Sequence, residues 1–579
     1  MDYTFIQGYK YLVGIPRIDS KKAVDISQQF SLSLPLAKTL VARDMSDKEA
    51  IQDFLVTSAE KDVADPALMK GAIKAVERIE TAIKNGEKIL IFGDYDVDGI
   101  TSSSLMLMGL LPLGAQVNFY LPNRVKDGYG ISNKIVKKAA ENNYKVIVTV
   151  DNGITAFEPA DLAKKLGVDL IITDHHRPHD KVPDAYVIVN PHQDDCQYPY
   201  KYFAGVGVAF KLISLLYTRQ KKDLPGKVIE LLLFGTVADV VPLTGENRYW
   251  VREGLSYINK SQSYSLQVLK ENSKFAKPVL SSMDIGFSIT PQINALGRLD
   301  DPRQGVQFLI GTNKQNVDHV GKVLLELNQA RKDIERGITQ SIIKQVETKE
   351  IDLDKENVVI ASSTDWPAGV IGLVASRIVG QFGRPTLLFH ITKDGIAKGS
   401  CRSIQEFNIF DALRESKDLL ISFGGHSHAA GLSLKVENLP ELKARLEKKV
   451  ANELTEFDLK QKLTVDATAQ LSDFSSKMIS DMRLFEPFGH ENQQPYFYVS
   501  GVVLVKRPQL LKDLHVKCLV FADGVIKPII FFNRPELFDL LVNQADEPFD
   551  IVGQITQNYW NGSYTIEMLG IDVVHIKNT

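Results

Sequence analysis

Three aspartates separated by single residues offer the clearest chemistry in this chain. Asp94, Asp96 and Asp98 follow the apolar run 88–92 and precede a helical pattern that begins near residue 100. Carboxylates this close repel one another unless a cation lies between them, and hard divalent ions such as Mg²⁺ and Mn²⁺ prefer oxygen ligands. A calcium EF-hand loop begins with the same pattern, but it needs a glutamate where the chain has Leu105, and a helix rather than a strand before it. The pattern therefore indicates a Mg²⁺ or Mn²⁺ site and excludes an EF-hand.

Two further apolar runs end in residues of the same kind. Residues 145–150 run into Asp151, and residues 168–173 run into Asp174, His175 and His176. Helical patterns lie between these runs, and strands that alternate with helices predict right-handed βαβ units in a parallel sheet. Functional groups of such sheets collect at the carboxyl ends of the strands. A solvated acidic rim would explain one such ending, but three in succession predict a single site.

These motifs resemble the DHH phosphoesterase superfamily, which is named after the Asp-His-His sequence found here at residues 174–176. The similarity is closer still to the RecJ family of bacterial exonucleases within that superfamily. The additional matching motifs lie at residues 235–243, 291–298, 366–377, 399–403 and 424–431. One position departs from the pattern, because this chain has Pro367 where relatives usually have histidine.

The resemblance implies two divalent cations, Mn²⁺ or Mg²⁺, and a set of ligands for them. The expected metal ligands are Asp94, Asp96, Asp98, Asp151, His175 and Asp239. Asp151 is the expected bridge between the cations, and Asp94 is either a ligand or a group that orients one. Asp174 is expected to support an imidazole from behind the site. His176 is expected either to donate to the scissile phosphate or to pack as a structural histidine behind His175.

The resemblance also implies a pocket for the terminal phosphate of the substrate. Its expected residues are Arg124, Arg298, Ser400 and Arg402, because guanidinium and hydroxyl groups donate to phosphate oxygens. Arg124 could alternatively form a surface ion pair. In the glycine-rich run 424–431, Gly425 and His426 are expected where the backbone approaches a substrate phosphate.

The activity that the resemblance implies is that of a metal-dependent exonuclease. Such an enzyme degrades single-stranded DNA in the 5′ to 3′ direction to nucleoside 5′-monophosphates, in DNA repair and recombination. The expected substrate carries a 5′-phosphate, and the expected partner proteins are a single-strand-binding protein and a helicase. The protein is expected to be a monomer without a membrane attachment.

Two other functions agree with part of the sequence. A DHH phosphodiesterase of short oligonucleotides or cyclic dinucleotides would share the motifs, but such relatives generally lack a strand-rich C-terminal domain like the one expected here. A non-catalytic replication scaffold should have lost ligands, whereas every expected position still carries Asp or His. Both alternatives are therefore less consistent with the chain than an exonuclease.

Bulk properties agree with a large globular enzyme. The chain has 579 residues, of which 44% are hydrophobic and 24% charged. Its net charge of −3 means that any contact with nucleic acid must come from cations gathered locally rather than from overall basicity. The three cysteines are widely spaced and no signal peptide is evident, so we expect a cytoplasmic protein.

The fold class is α/β with an added barrel. A parallel-sheet DHH core is expected to be joined by a long helix to a second, smaller α/β domain, followed by a C-terminal β-barrel of the OB-fold type. Residues 1–70 are interpreted as an irregular lead-in with a helix near residues 47–54. The expected domains are the lead-in 1–70, the DHH catalytic domain 71–312, the connecting helix 313–350, the DHH-associated domain 351–454 and the OB-fold domain 455–579.

Overall fold

The computed structural model describes residues 2–124, 127–261, 263–275, 277–544, 547–560 and 562–575. The chain forms two compact units, and neither is continuous in sequence. The first unit comprises residues 52–328 and 483–494, and the second unit comprises residues 1–51, 329–482 and 495–579.

The strands of the described residues are numbered in chain order. They are β1 (Tyr3–Gln7), β2 (Leu12–Pro16), β3 (Lys88–Phe92), β4 (Gln116–Tyr120), β5 (Tyr144–Val150), β6 (Asp169–Thr173), β7 (Val187–Val189), β8 (Val359–Ser363), β9 (Thr386–Ile391), β10 (Ile396–Arg402), β11 (Leu420–His426), β12 (Ala429–Lys435), β13 (Lys462–Thr464), β14 (Ala467–Thr468), β15 (Phe497–Leu504), β16 (Gln509–Leu511), β17 (His515–Ala522), β18 (Val525–Phe531), β19 (Phe549–Trp560) and β20 (Ser563–Val574).

The α-helices are numbered in the same way. They are α1 (Ser20–Phe30), α2 (Leu34–Ala42), α3 (Lys48–Leu55), α4 (Ala59–Asp62), α5 (Ala72–Asn85), α6 (Val97–Leu110), α7 (Asn133–Glu141), α8 (Phe157–Lys165), α9 (Gly205–Gln220), α10 (Lys227–Ala238), α11 (Gly245–Ile258), α12 (Tyr264–Ser273), α13 (Ser282–Asp284), α14 (Thr290–Leu299), α15 (Arg303–Ile310), α16 (Lys314–Glu347), α17 (Ile371–Phe382), α18 (Ile409–Glu415), α19 (Leu439–Glu453), α20 (Ser476–Phe485) and α21 (Leu537–Asn543).

The first unit is built on a five-stranded sheet with the order β4-β3-β5-β6-β7. All of its pairs are parallel, which confirms the predicted core. Ile89 and Ile91 of β3 pack into one apolar cluster with residues of α5, α6 and α9. Leu90 and Phe92 of the same strand pack into another with residues of α7 and α8. Helices therefore cover both faces of the sheet, which is why its strands are continuously apolar.

The predicted connecting helix is α16, in which the chain passes from the first unit to the second. The second unit contains the expected smaller α/β domain, whose sheet has the order β11-β12-β10-β9-β8. Only β8 and β9 are parallel among its described pairs, and the other neighbours run antiparallel. Helices α18 and α19 pack against this sheet in one apolar cluster.

The C-terminal strands close into the expected barrel. Neighbouring strands pair in the cycle β15-β19-β20-β18-β17, and β17 returns to β15. Closure leaves no open edge within this five-stranded ring, as in an OB-fold. Strands β19 and β20 form the predicted hairpin, although Asn561 of its predicted turn lies outside the described residues.

The expectation of an irregular lead-in is wrong. Strands β1 and β2 form an antiparallel hairpin, and β2 pairs in parallel with β13, where Leu463 lies opposite Val13. The buried carboxylate of Asp572 accepts hydrogen bonds from the backbone of Lys10 and Tyr11. Local sequence patterns missed this sheet because its third strand, β13, lies hundreds of residues further along the chain. None of the helices in the described segments is both long enough and apolar enough to cross a bilayer.

Candidate metal centre

Acidic and histidine side chains meet at the carboxyl edge of the first unit's sheet, as predicted. Asp94 lies beyond the end of β3, Asp151 follows β5, and His175 lies beyond β6. Asp96 is the residue preceding α6, and its Oδ1 accepts a hydrogen bond from the backbone of Gly99 at 3.1 Å. The remaining expected ligands are Asp98, in the first turn of α6, and Asp239, at the end of α10.

The ligand atoms of these residues are close enough to share cations. The Nε2 atom of His175 lies 3.2 Å from Oδ1 of Asp151, 3.6 Å from Oδ2 of Asp239 and 4.0 Å from Oδ2 of Asp98. Three sets each have ligand atoms within 4.8 Å of one another: Asp98 with His175 and Asp239, Asp94 with Asp96 and Asp151, and Asp151 with His175 and His176. Asp151 belongs to two of the three sets, so its position suits a bridging carboxylate.

The electrostatics of the cluster fit a bound cation. Burial raises the pKa of Asp98 to about 7, and burial with neighbouring carboxylates raises the pKa of Asp94 and Asp151 well above the usual value. Burial lowers the pKa of His175 to about 3, so this imidazole is neutral near pH 7. Within the described residues, Oδ1 of Asp94 and Nε2 of His175 are buried without a hydrogen-bond partner. An oxygen-rich donor set with one imidazole suits Mn²⁺ or Mg²⁺.

The start of α9 orients two of the expected ligands, and the sequence did not predict this role. The backbone N–H groups of Gly205 and Val206 donate to the two carboxylate oxygens of Asp98 at 2.6 and 2.8 Å. Burial lowers the pKa of the His175 ring, and the backbone of Phe203, just before the helix, acts against that shift. The residue that could have indicated this role in the sequence is Gly205. A larger residue would not fit there, because a Cβ at Gly205 would lie 2.5 Å from the Cβ of Asp151.

Asp174 contacts an imidazole, and that imidazole belongs to His176. The Oδ1 atom of Asp174 lies 2.7 Å from Nδ1 of His176 and accepts hydrogen bonds from the backbone of both histidines. Burial alone would lower the pKa of His176, but the hydrogen bond to Asp174 and the negative charges of Asp174, Asp98 and Asp94 together outweigh burial and raise that pKa. The side chain of His176 is 42% exposed, so it lies at the open side of the cluster.

Two of the expected substrate-binding residues lie beside the aspartate loop in the first unit. The guanidinium of Arg124 lies over the ring of Tyr95, 5.1 Å from its centroid. Arg124 and Arg298 line a cavity of about 500 Å³, together with Arg303. The backbone of α14 packs against the loop so closely that a Cβ at Gly297 would meet the carbonyl oxygen of Tyr95 at 2.0 Å.

The other expected substrate-binding residues lie in the second unit. Nη1 of Arg402 donates to Oγ of Ser400 at 3.2 Å, both on β10. A Cβ on Gly372, at the start of α17, would lie 2.9 Å from that hydroxyl. Arg402 and His426 lie on one rung of the sheet, since both are opposite Ala429 of β12. Gly425 precedes His426 with a φ of +143°, and a Cβ there would meet the carbonyl oxygen of Ala429 at 2.4 Å.

Comparison with protein families matches three successive parts of the chain. Residues 88–236 match the N-terminal domain of the DHH family, residues 355–452 match the DHHA1 domain, and residues 465–572 match the RecJ OB domain. These matches include the metal-centre residues up to Asp174, His175 and His176, the strand that carries Ser400 and Arg402, and the barrel.

Several similar proteins are named RecJ. The single-stranded-DNA-specific exonuclease RecJ of Bacillus subtilis is 37% identical over 549 residues, which cover 94% of this chain and 69% of the relative. The protein of the same name in Escherichia coli is 34% identical over 474 residues, 79% of this chain and 82% of the relative. The crystal structure of Thermus thermophilus RecJ in complex with Mn²⁺ superposes with a TM-score of 0.82 at 26% identity, and the match covers 98% of this chain and 80% of that one. The chain therefore belongs to the RecJ family of the DHH superfamily.

Proposed function

We propose that this protein is a metal-dependent exonuclease that degrades single-stranded DNA in the 5′ to 3′ direction and releases nucleoside 5′-monophosphates. The observation that carries the proposal is the convergence of Asp98, Asp151, His175 and Asp239 at one sheet edge. The names of similar proteins also support the proposal, because several relatives of this chain are named single-stranded-DNA-specific exonuclease.

Two ligand groups that share Asp151 would hold the cations. We assign Asp94 and Asp96 to one cation and Asp98, His175 and Asp239 to the other, with Asp151 between them. When bound, two divalent cations of the Mn²⁺ or Mg²⁺ type neutralise phosphate charge and allow hydroxide to form from water near neutral pH. Asp98 contributes a fixed arrangement, because two backbone N–H groups hold its carboxylate.

His176 contributes a donor rather than a ligand in this assignment. Its Nδ1 proton is directed to Asp174, and the raised pKa favours the protonated ring. The opposite ring nitrogen then carries a proton that can be donated to a non-bridging oxygen of the scissile phosphate. This donor would stabilise the negative charge that develops as the phosphodiester bond breaks.

Terminal phosphate recognition is assigned to the arginines and serine predicted for it. Arg402 with Ser400 presents a guanidinium and a hydroxyl on one strand, and Arg124 with Arg298 lines the cavity in the first unit. Such groups suit a phosphate monoester, whose charge exceeds that of an internal phosphodiester. We assign Gly425 and His426 to contact with the substrate backbone.

Longer contacts with the single strand are assigned to the barrel, since OB-folds bind oligonucleotides. We also propose that the protein is a monomer located in the cytoplasm and that its partner proteins are a single-strand-binding protein and a helicase. These last assignments rest on the family resemblance alone.

The direct test is digestion of end-labelled DNA with and without Mn²⁺. A 5′-labelled single strand should release labelled mononucleotide as its first product, whereas a 3′-labelled strand should shorten progressively. Duplexes without single-stranded ends should be spared, and chelation should stop the reaction. Release of 3′-terminal nucleotide first would overturn the polarity. Hydrolysis confined to dinucleotides or cyclic dinucleotides would favour the phosphodiesterase alternative, and no hydrolysis at all would favour the scaffold.

A further inference from the structure

A buried ion pair lies behind the metal centre, in the interior of the first unit. Lys211 of α9 and Glu246 of α11 are 2% and 3% exposed, and Nζ of the lysine contacts Oε1 of the glutamate. Glu246 also accepts hydrogen bonds from the Tyr198 hydroxyl at 2.7 Å and from Nε1 of Trp250 at 2.9 Å. The ammonium group lies 5.4 Å from the ring centroid of Tyr198, 5.8 Å from that of Phe203 and 5.6 Å from that of Trp250.

The same stretch of chain touches both this ion pair and two expected metal ligands. Tyr198 and Phe203 flank Lys211, and Gly205 packs so closely on the expected ligand Asp151 that a Cβ on this glycine would lie 2.5 Å from the Cβ of Asp151. Two residues beyond Phe203, the helix that contains Lys211 begins, and its first N–H groups hold both oxygens of Asp98. Residues 198–206, which we call the ligand-orienting segment, are therefore fixed on one side by the ligands and on the other by the ion pair.

We propose that the Lys211–Glu246 pair positions the metal centre by holding the ligand-orienting segment in place. The proposal rests on the proposed function, because it takes Asp98 and Asp151 as metal ligands. None of the hydrogen bonds of Lys211 or Glu246 given above reaches either ligand, so the pair acts through the backbone of Gly205 and Val206.

Stability alone is a poor explanation for such a pair. Taking two charges out of water is expensive, and replacing a buried ion pair with apolar residues of similar size is often neutral or stabilising. A pair with directional partners does, however, define one arrangement of the segments around it. Here every oxygen of Glu246 has a donor, and the lysine is enclosed by three aromatic rings. The arrangement therefore suits a role in fixing the geometry of the ligand-orienting segment.

The test measures Mn²⁺ affinity directly on the metal-stripped full chain, by isothermal titration calorimetry well below the melting temperature of every variant. Lys211→Met removes the charge and keeps the stem, and it leaves Glu246 buried and unpaired. The double variant Lys211→Met with Glu246→Leu removes both charges. Tyr198→Phe removes the hydroxyl, which lies 2.7 Å from Glu246 and 3.1 Å from the carbonyl oxygen of Ala64, and leaves both charges of the pair in place. Arg43→Met, which breaks a half-buried pair with Asp466 in the second unit, is the matched control.

Groups that orient metal ligands typically contribute about 10–100-fold to metal affinity. We expect Lys211→Met to lower Mn²⁺ affinity by about tenfold or more, and Tyr198→Phe to lower it less. The double variant should regain thermal stability but not metal affinity, and Arg43→Met should bind Mn²⁺ like the wild type.

Recovery of affinity together with stability in the double variant would overturn the proposal, as would wild-type affinity in both Lys211→Met and Tyr198→Phe. If Lys211→Met does not fold, the double variant and Tyr198→Phe decide. Failure of the metal centre itself is distinguishable, because the wild type would then bind no Mn²⁺ or Asp151→Asn would bind it equally well.

Discussion

Oδ1 of Asp174 lies 2.7 Å from Nδ1 of His176, and this contact distinguishes the two adjacent histidines at the site. His176 becomes the more basic ring because of Asp174, whereas burial keeps His175 neutral with a pKa of about 3. One ring can therefore offer a lone pair to a cation while its neighbour offers a proton to a phosphate.

Replacement of His176 by Ala should lower kcat by about 10²–10³-fold, as expected for loss of one donor to developing charge. Mn²⁺ affinity should stay close to that of the wild type, because the ligand set assigned above does not include His176. Steady-state kinetics and calorimetry on the same preparation check both parts. If metal affinity falls in step with kcat, His176 is a ligand in the set with Asp151 and His175.

Asp151→Asn should reduce hydrolysis by at least about 10³-fold with the fold intact, because a bridging carboxylate has to neutralise two cations at once. Asparagine tolerates the left-handed backbone found at Asp151, where φ is +61°, so the change removes charge with little strain. Asp44 also has a positive φ of 56° but lies in the second unit, and Asp44→Asn is the matched control. Circular dichroism and single-strand binding should be unchanged in both variants. Substantial activity of Asp151→Asn in Mn²⁺ would contradict the bridging role.

Stabilisation by Mn²⁺ should increase with pH. Burial raises the pKa of Asp98 to about 7 in the folded chain, so the folded state binds this proton more tightly than the unfolded state does. The stability that this bound proton gives to the metal-free protein is complete below the unfolded pKa of about 3.9. It is lost as pH rises through about 7. The pKa values of Asp94, Asp151 and Asp239 are also raised, so these carboxylates change stability with pH in the same direction as Asp98. The lowered pKa of His175 acts in the opposite direction, but it concerns one group only.

Cations bind the deprotonated carboxylates, so they should offset this loss most strongly where it is largest. Melting temperatures with and without Mn²⁺ should therefore differ more near about pH 8 than near about pH 5.5. Asp98→Asn should flatten the pH profile of the metal-free protein. A Mn²⁺-induced shift that shrinks as pH rises would contradict the assignment.

Arg402→Ala should weaken binding of a 5′-phosphorylated strand by about 1.5–3 kcal/mol, the range for hydrogen bonds to charged groups. The loss should be much smaller for the same strand with a 5′-hydroxyl end, because the extra phosphate charge is then absent. Lys398, exposed on the same strand β10, provides the control Lys398→Ala, which should affect both substrates little and equally. Equal losses on both substrates for Arg402→Ala would place the terminal phosphate elsewhere.

Ending the chain after residue 454 should impair cleavage of dinucleotides as well as of long strands. Residues 483–494 belong to the first unit, where Arg248 donates to the carbonyls of Leu484 and Phe485. The N–H of Leu243, close to Asp239 in sequence, donates to the carbonyl of His490 at 2.9 Å. Truncation would remove these acceptors, and unsatisfied buried donors cost about 1–3 kcal/mol each. Thermal melting and dinucleotide hydrolysis of the truncated chain check this, and wild-type rates on dinucleotides would contradict it.

Much of the fold and the ligand cluster could be predicted because they follow from local patterns. Asp94, Asp151 and His175 each lie just beyond a short apolar run, and parallel sheets bring such strand ends to one edge. The orienting role of Gly205 could not be predicted, because its hydrogen bond to Asp98 joins residues 107 positions apart. The pairing of β2 with β13 was missed for the same reason. Sequence spacing locates strand ends, but it does not show which distant backbone groups approach a side chain.

The pairing of the hairpin β1–β2 has a consequence for synthesis of the protein. One edge of β2 stays open until β13 has been made, and Gly8 meets its bridge partner Val574 only at the end of β20. A nascent chain therefore exposes an unpaired strand edge while most of the protein is still being translated, which is a hazard for aggregation. The second unit can therefore finish folding only after β20 has left the ribosome. Its last contacts join residues very far apart in sequence, and such contacts form slowly.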